Sequence, residues 1–272
     1  VANIILDPIF ILTLNMGTAG AAIATVLGNI LACVFYLGFF LTKKSTLSIH
    51  PRYFLSGLDV ARRLITIGLP AGINSALMSV ATILLNNSLV SYGDKPLAAM
   101  GIVTKAYMLI VFIHMGITNG IQPLLGYCYG ANNKKRFISI MKFSGMLTLI
   151  SGTVLSAIYI IFSRPVVTLF INDTEVIGYG AQMLIATSLA GPILGLLFLS
   201  INSMQAMDCP VPATLLSICR QGLFFIPLLY ILKAGFGLQG INYTQTISDY
   251  LAIVISLLLL RRSLRKFKGD PS

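Results

Sequence analysis

The sequence predicts an all-α protein that crosses a membrane many times. Of its 272 residues, 56% are apolar and only 10% are charged, whereas charged residues make up about a quarter of a soluble domain. The mean hydropathy is +0.88, and long uncharged stretches alternate with short basic clusters. These features exclude a water-soluble globular domain, because too little polar sequence is present to cover its surface.

Seven stretches are each long enough to cross a bilayer, which takes about 20 mostly apolar residues. In chain order they are 18–42, 64–93, 96–133, 143–163, 176–207, 209–232 and 234–260. Residues 3–14 are interpreted as the end of an earlier span. The sequence begins at Val1, with no initiator Met and no signal-peptide pattern. We therefore expect a longer protein whose first part precedes this residue.

Basic residues orient these spans, since short loops rich in Lys and Arg stay in the cytoplasm. Basic clusters at 43–63, 134–142 and 261–268, together with Arg220, fall on one set of loops and flanks. The opposite set holds only Lys95, Lys105, Arg164 and Lys233. The pattern predicts a cytoplasmic C-terminus, and it explains the net charge of +11 by contact with the bilayer rather than with nucleic acid.

A short internal repeat predicts two related halves. A proline followed by a Gly-x-x-Gly pattern occurs twice, first as Pro8 with Gly17-x-x-Gly20 and again near the end of the chain as Pro227 with Gly237-x-x-Gly240. The alternative is chance, since glycine and proline are common in membrane helices.

The repeat predicts the domain organisation. Residues 1–42 are the last two helices of an N-terminal lobe, the first of them partial; 43–63 are a cytoplasmic inter-lobe loop, 64–266 a C-terminal six-helix lobe, and 267–272 a cytoplasmic tail. The whole protein then has about twelve spans. Transporters are often built from such repeats, with substrate and ion sites near the midplane.

Three charged residues fall in the middle of predicted spans, where an ionisable group costs about 2.5–3.5 kcal/mol and is a functional candidate by default. These residues are Asp7, Lys105 and Asp249. Counted along a helix, each lies about 12–16 Å from one end of its span or from the adjoining turn. In one interpretation Lys105 pairs with Asp249 and joins two helices. In the other, a carboxylate alternately binds a coupling ion and a cationic substrate, because burial and nearby charge control its protonation.

Uncharged polar residues inside the spans are further candidates for binding an ion or a substrate. They are Asn74, Asn87, Gln122, Asn202 and Gln205. Glycine and proline at 68–70, 120–126 and 191–192 predict breaks in three spans, and such breaks expose backbone groups. His114 is interpreted as a packed histidine, with a proton relay as the alternative.

Motifs typical of enzymes and ATP-driven pumps are not found in the sequence. It has no P-loop, hydrolase elbow, metal-binding His pair or dinucleotide fingerprint. The sequence therefore predicts neither an enzyme nor a bound cofactor, and it indicates an ion gradient as the energy source.

Several stretches resemble the multidrug and toxic compound extrusion (MATE) family. NIILDPIFI and GTAGAAIAT resemble the end of its N-terminal lobe, and the run from GLPAGINSALMS to QPLLGYCYGANNKKR resembles the first two helices of its C-terminal lobe. GLQGINYTQTISDYLAIVISLLLLRR resembles its last helix. The resemblance covers essentially the whole chain, and NIILDP and QPLLGYCYGANNKKR are its most specific pieces.

The resemblance implies a monomeric twelve-helix antiporter of a bacterial inner membrane. It would export cationic or amphipathic drugs in exchange for protons or sodium by alternating access, with an N-terminal lobe outside this chain. Lys105 follows GIVT where the family often has Arg, which keeps the charge but loses the planar fork. The acidic ion ligands that some members carry in the first C-lobe helix are absent from 64–93, so the coupling carboxylate is Asp7, Asp249 or a residue of the other lobe.

The alternative function is a lipid-linked oligosaccharide or polysaccharide flippase of the same superfamily. Such a protein is expected to line its cavity with cationic residues for a pyrophosphate, and Lys105 alone makes a poor anion site.

Overall fold

The structure, a computed structural model, describes residues 2–14, 16–41 and 58–267. These residues are almost entirely helical and include no strand, so the predicted all-α fold is confirmed. The helices are α1 (Ala2–Pro8), α2 (Gly17–Leu41), α3 (Leu58–Val90), α4 (Asp94–Gly130), α5 (Lys134–Ile161), α6 (Ser163–Thr168), α7 (Thr174–Ser188), α8 (Gly191–Ala206), α9 (Pro210–Ile218) and α10 (Ile226–Lys266). π-Helical turns occupy Ile9–Thr13 and Cys219–Phe225.

Most of these helices can span a membrane. α2, α3, α4 and α5 are each long and apolar enough to cross as a single helix. α7 and α8 pass the same test only as a pair, bent by 47° at the break between them. The bend lies at the predicted break 191–192, because Pro192 cannot supply the backbone donor that would continue the preceding helix.

The other two predicted helix breaks are wrong. α3 and α4 run without interruption through Pro70 and Pro123. A membrane helix tolerates an internal proline when neighbouring groups satisfy the freed carbonyl. Glycine and proline in a predicted span therefore do not by themselves mark a break.

The last two spans are joined by a turn within α10. Gly237 has φ +60° and ψ −134°, a left-handed conformation that glycine adopts without steric cost. Arg220 and Asp249 are 29 residues apart in sequence, which is about 43 Å along a straight helix, yet their side chains are in contact. The chain therefore reverses near Gly237, a few residues after the predicted boundary between spans 209–232 and 234–260.

The structure divides into two compact units, which meet in sequence at Leu64 and Ile65. α3 begins at Leu58, ahead of the start that hydropathy predicts, because basic residues in its first turns lower the hydropathy without breaking the helix. Residues 42–57, in most of the predicted inter-lobe loop, and 268–272, in the predicted tail, lie outside the described residues.

Both copies of the predicted repeat contain a glycine with a positive φ, followed by a glycine at a close helix contact. Gly17 in the first unit and Gly237 in the second have φ of +54° and +60°. A Cβ on Gly20 would lie 2.8 Å from a carbonyl oxygen of the preceding π-helical turn, and one on Gly240 would overlap the carbonyl oxygen of Leu232. In each copy the first glycine turns the chain and the second lets a helix lie against the preceding backbone.

Close packing of α4, α5 and α8 forms part of the core of the second unit. A Cβ on Gly152 would lie 2.6 Å from the carbonyl oxygen of Gly191, and one on Gly195 would lie 2.6 Å from the Cβ of Thr148. His114 of α4 is fully buried beside these glycines, and its Nε2 lies 3.1 Å from the carbonyl oxygen of Thr148. These are the contacts of a packed histidine, as the simpler interpretation of the sequence has it.

Candidate functional site

Two opposite charges meet inside the second unit. Asp249 of α10 has a fully buried side chain, and that of Arg220, in the turn Cys219–Phe225, is 16% exposed. Arg220 Nε lies 2.6 Å from Asp249 Oδ1, and Arg220 Nη2 lies 3.3 Å from Oδ2. The guanidinium meets both carboxylate oxygens, a two-point geometry that suits Arg and not Lys.

Neighbouring polar groups on α10 complete this ion pair. Gln245, one helical turn before Asp249, donates from Nε2 to Oδ1 at 2.9 Å. Ser248 Oγ donates to the carbonyl oxygen of Arg220 at 2.7 Å. This hydrogen bond ties α10 to the backbone of the residue that carries the positive charge.

Two aromatic side chains lie beside the ion pair. The guanidinium of Arg220 is 5.8 Å from the ring centroid of Phe198 on α8. Tyr107 of α4 lies close enough to interact electrostatically with both Arg220 and Asp249. The Tyr107 hydroxyl is buried and has no hydrogen-bond partner among the described residues. α4, α8 and α10 thus all contribute to the surroundings of the pair.

The hypothesis that Lys105 pairs with Asp249 is wrong. Arg220 occupies both oxygens of that carboxylate, and the side chain of Lys105 on α4 is exposed. In the part of the chain that the structure describes, no carboxylate lies within 4 Å of the Lys105 amine. Among the described residues, Lys105 is therefore an exposed positive charge without a salt-bridge partner.

Arg220 is a site residue that the sequence did not predict, because the loop-charge rule assigns it to the cytoplasmic flanks. Since Arg220 shares the depth of Asp249, it belongs with the mid-depth charges. The available signal was its position well inside the apolar run 209–232, matching the position of Asp249 inside the next run.

Amide side chains link α4 and α8. Gln122 Nε2 donates to Gln205 Oε1 at 3.3 Å, and Asn202 Nδ2 donates to Asn119 Oδ1 at 3.1 Å. Both pairs join residues 83 apart in sequence, so the two helices run in the same direction. The structure brings together three of the predicted polar residues and adds Asn119, whose position one turn before Gln122 was the overlooked signal.

The remaining predicted site residues lie elsewhere. Asp7 is a half-buried residue of α1, in the first unit. Asn74 is half-buried and Asn87 is exposed, both on α3. Of the hydrogen bonds that the described residues make to Asp249, none comes from Asn74 or Asn87. The predicted residues therefore form more than one cluster.

Known proteins resemble the chain in sequence. A family model described as MatE matches residues 70–231. The multidrug export protein MepA of Staphylococcus saprophyticus is 29% identical over 260 residues, which cover 96% of this chain and 57% of the relative. MepA of Staphylococcus aureus is 30% identical over 259 residues, with 95% and 57% covered. The chain spans a little over half the length of these relatives.

Solved structures share the fold. The MATE transporter VcmN of Vibrio cholerae, in its bent form, matches with a TM-score of 0.78 at 21% identity, covering 98% of this chain and 60% of that one. A MOP superfamily transporter from Pyrococcus furiosus matches with a TM-score of 0.83 at 21% identity, covering 99% and 61%. The fold is thus that of multi-pass membrane transporters. Because the family model covers more than half of its residues, the chain belongs to the MatE family.

Proposed function

We propose that the complete protein is a secondary multidrug exporter. It expels cationic or amphipathic compounds in exchange for protons or sodium by alternating access. The observation that carries this proposal is the MatE match over residues 70–231, joined to relatives that are named as multidrug export proteins. Those names do not favour the flippase alternative.

Within this chain, we assign the coupling carboxylate to Asp7. Asp249 has both oxygens engaged by Arg220, and protonating it would leave a largely buried guanidinium without its partner, which is costly. Asp7 is half-buried, and no described basic side chain lies within 4 Å of it. A carboxylate in that setting can exchange an ion without breaking a salt bridge.

The other polar residues then have graded roles in the proposal. Asn202 and the pair Gln122 and Gln205 are bonded to one another or to Asn119, which supports a role in holding α4 against α8. Exposed Lys105 and Asn87, with half-buried Asn74, are the residues open to contact with a substrate.

The proposed orientation places the C-terminus in the cytoplasm of a bacterial cell. The distribution of basic residues supports it, and the relatives named above are bacterial.

Ethidium accumulation in efflux-deficient bacteria that express the complete protein tests the function and the assignment together. Wild type should lower accumulation. Asp7→Asn should abolish export while the protein reaches the membrane at the wild-type level. Asp249→Asn should instead lower the amount of folded protein, measured by fluorescence-detected gel filtration.

Two outcomes would contradict the proposal. Wild type that leaves accumulation unchanged for ethidium and other cationic dyes argues against drug export. Asp249→Asn that folds at the wild-type level yet exports nothing, while Asp7→Asn exports normally, moves the coupling role to Asp249.

A further inference from the structure

Phe267, the residue after α10, packs against the end of α4 and the start of α5. Phe267 is 5% exposed, and its ring centroid lies 4.9 Å from that of Tyr129 and 5.6 Å from that of Phe137. Lys134 Nζ donates to the Phe267 carbonyl oxygen at 2.7 Å and lies 5.8 Å from the ring centroid. Two segments far apart in sequence are thereby held side by side.

This packing joins two groups of basic residues into one surface, here called the basic end surface. Its members are Lys135, Arg136 and Lys142 of α5 and Arg261, Arg262 and Arg265 of α10, all exposed. Neither of the ion pairs found among the described residues involves any of them. Because α4 and α8 run in parallel, the turn after α8 lies at the same end and carries Asp208, an exposed acidic residue. The surface therefore holds a large excess of positive charge.

Apolar side chains continue from these basic residues along the same helix faces. On α5, Phe143 and Met146 follow Lys142 and are 65% and 59% exposed. On α10, Leu258 is 61% exposed and lies at helical spacing from Arg261 and Arg265 on the side away from the chain end. A soluble anion would contact only the basic residues, whereas an amphiphile would contact both the basic residues and the apolar side chains.

We propose that the basic end surface binds the headgroups of anionic phospholipids in the adjacent leaflet, with their acyl chains along the exposed apolar faces of α5 and α10. Clustered Lys and Arg beside the ends of membrane helices attract anionic lipids. Phe267 keeps the two halves of the surface close enough to share one or a few headgroups. An anionic headgroup also relieves the mutual repulsion of the basic side chains.

Native mass spectrometry of the complete protein in mixed micelles tests this proposal. Dioleoylphosphatidylglycerol is the probe, dioleoylphosphatidylcholine is the neutral lipid, and inorganic phosphate is a competitor. Each basic residue near an anionic surface contributes about a fivefold gain in affinity. The variant Arg261→Gln/Arg262→Gln/Arg265→Gln should therefore bind phosphatidylglycerol more weakly by up to about 100-fold if the three contributions add, and by at least about tenfold.

Matched variants separate a binding surface from general charge. Lys95→Gln/Arg164→Gln/Lys233→Gln removes three charges at the opposite ends of the helices and should bind phosphatidylglycerol like wild type. Arg261→Lys/Arg262→Lys/Arg265→Lys keeps the charge and should retain binding. Phe267→Ala should weaken binding although it removes no charge.

Three results would overturn the proposal. One is a wild type that prefers phosphatidylglycerol no more than phosphatidylcholine. Another is an equal loss of binding in the two glutamine variants. The third is displacement of phosphatidylglycerol by inorganic phosphate at comparable concentration, which would show a site for a soluble anion.

Discussion

At the scale of the residue, the ion pair of Arg220 and Asp249 decides how the last two spans fit together. Both side chains give up most of their hydration, and the two-point contact with help from Gln245 offsets that cost. Removing one partner leaves a buried charge with nothing to balance it, whereas removing both leaves only neutral groups. The pair therefore stabilises the protein only when both partners are present.

We expect Arg220→Gln to destabilise the protein by about 3–5 kcal/mol and Asp249→Asn to do so by a similar amount. The double variant Arg220→Gln/Asp249→Asn should lose less than the sum of the two. Apparent melting temperatures from fluorescence-detected gel filtration, completed as a double-mutant cycle, measure the coupling. Strictly additive losses would show that the pair contributes nothing beyond its separate side chains.

A second residue-scale prediction concerns the start of α7. Asp173 Oδ1 accepts hydrogen bonds from the backbone N–H groups of Val176 and Glu175, and these bonds lower the pKa of Asp173 below its ordinary value of 3.8. The stability that this charge adds is present above the unfolded pKa and is lost as the pH falls through the folded pKa.

The comparison variant is Asp173→Asn, which keeps a capping oxygen but carries no charge. The stability advantage of wild type over this variant should be constant above about pH 5 and shrink as the pH is lowered toward about pH 3. Melting temperatures across this range provide the check. An advantage that does not change with pH would mean that the charge of Asp173 has no part in holding α7.

Some residue-scale features could be predicted from the sequence, and others could not. Mid-depth charges stand out in apolar runs, so Asp249 was identified. Its partner depends on which helices are neighbours and on the path of the π-helical turn that carries Arg220, and neither is encoded in hydropathy. The Lys105 hypothesis failed for this reason, because equal depth does not bring two helix faces together.

At the scale of the element, glycine controls how closely helices approach. The contact of α5 with α8, and of both with His114, leaves no room for a side chain at Gly195. Gly178 on α7 is different, because nothing lies within 4 Å of a Cβ built there. Sequence periodicity does not distinguish these two glycines, since their roles depend on tertiary neighbours.

We therefore expect Gly195→Ala to destabilise the protein by about 1–3 kcal/mol through overpacking. Gly178→Ala should be neutral or stabilising by up to about 1 kcal/mol, because alanine favours the helix. Thermal unfolding of both variants in the same detergent gives the comparison. Equal stabilities would mean that α8 moves away from α5 at little cost.

The turn within α10 shows which element boundaries a sequence can reveal. The boundary between spans 209–232 and 234–260 predicted a reversal near Lys233, and the turn lies a few residues later, at Gly237, where a positive φ favours glycine. The proline signals in α3 and α4 failed, since a membrane helix can keep its course through an isolated proline.

At the scale of the whole molecule, the alternation of basic and nearly neutral loops predicts one orientation. Green fluorescent protein fused after Ser272 should be fluorescent, because the chain end is expected in the cytoplasm. Alkaline phosphatase fused after Asp173 should be active, because that turn is expected outside. The reverse pair of results would invert the proposed topology.

The parallel arrangement of α4 and α8 has a consequence for the order of assembly during synthesis. Partners in the amide pairs are separated by 83 residues, so a ribosome needs about 4–17 s to make the second member after the first. Arg220 and Asp249 are separated by only 29 residues, which a ribosome makes in about 1.5–6 s. Asn119 and Gln122 therefore spend the longer interval without their partners on α8. Slower translation would lengthen the interval before the partners of α4 are made more than the interval between Arg220 and Asp249.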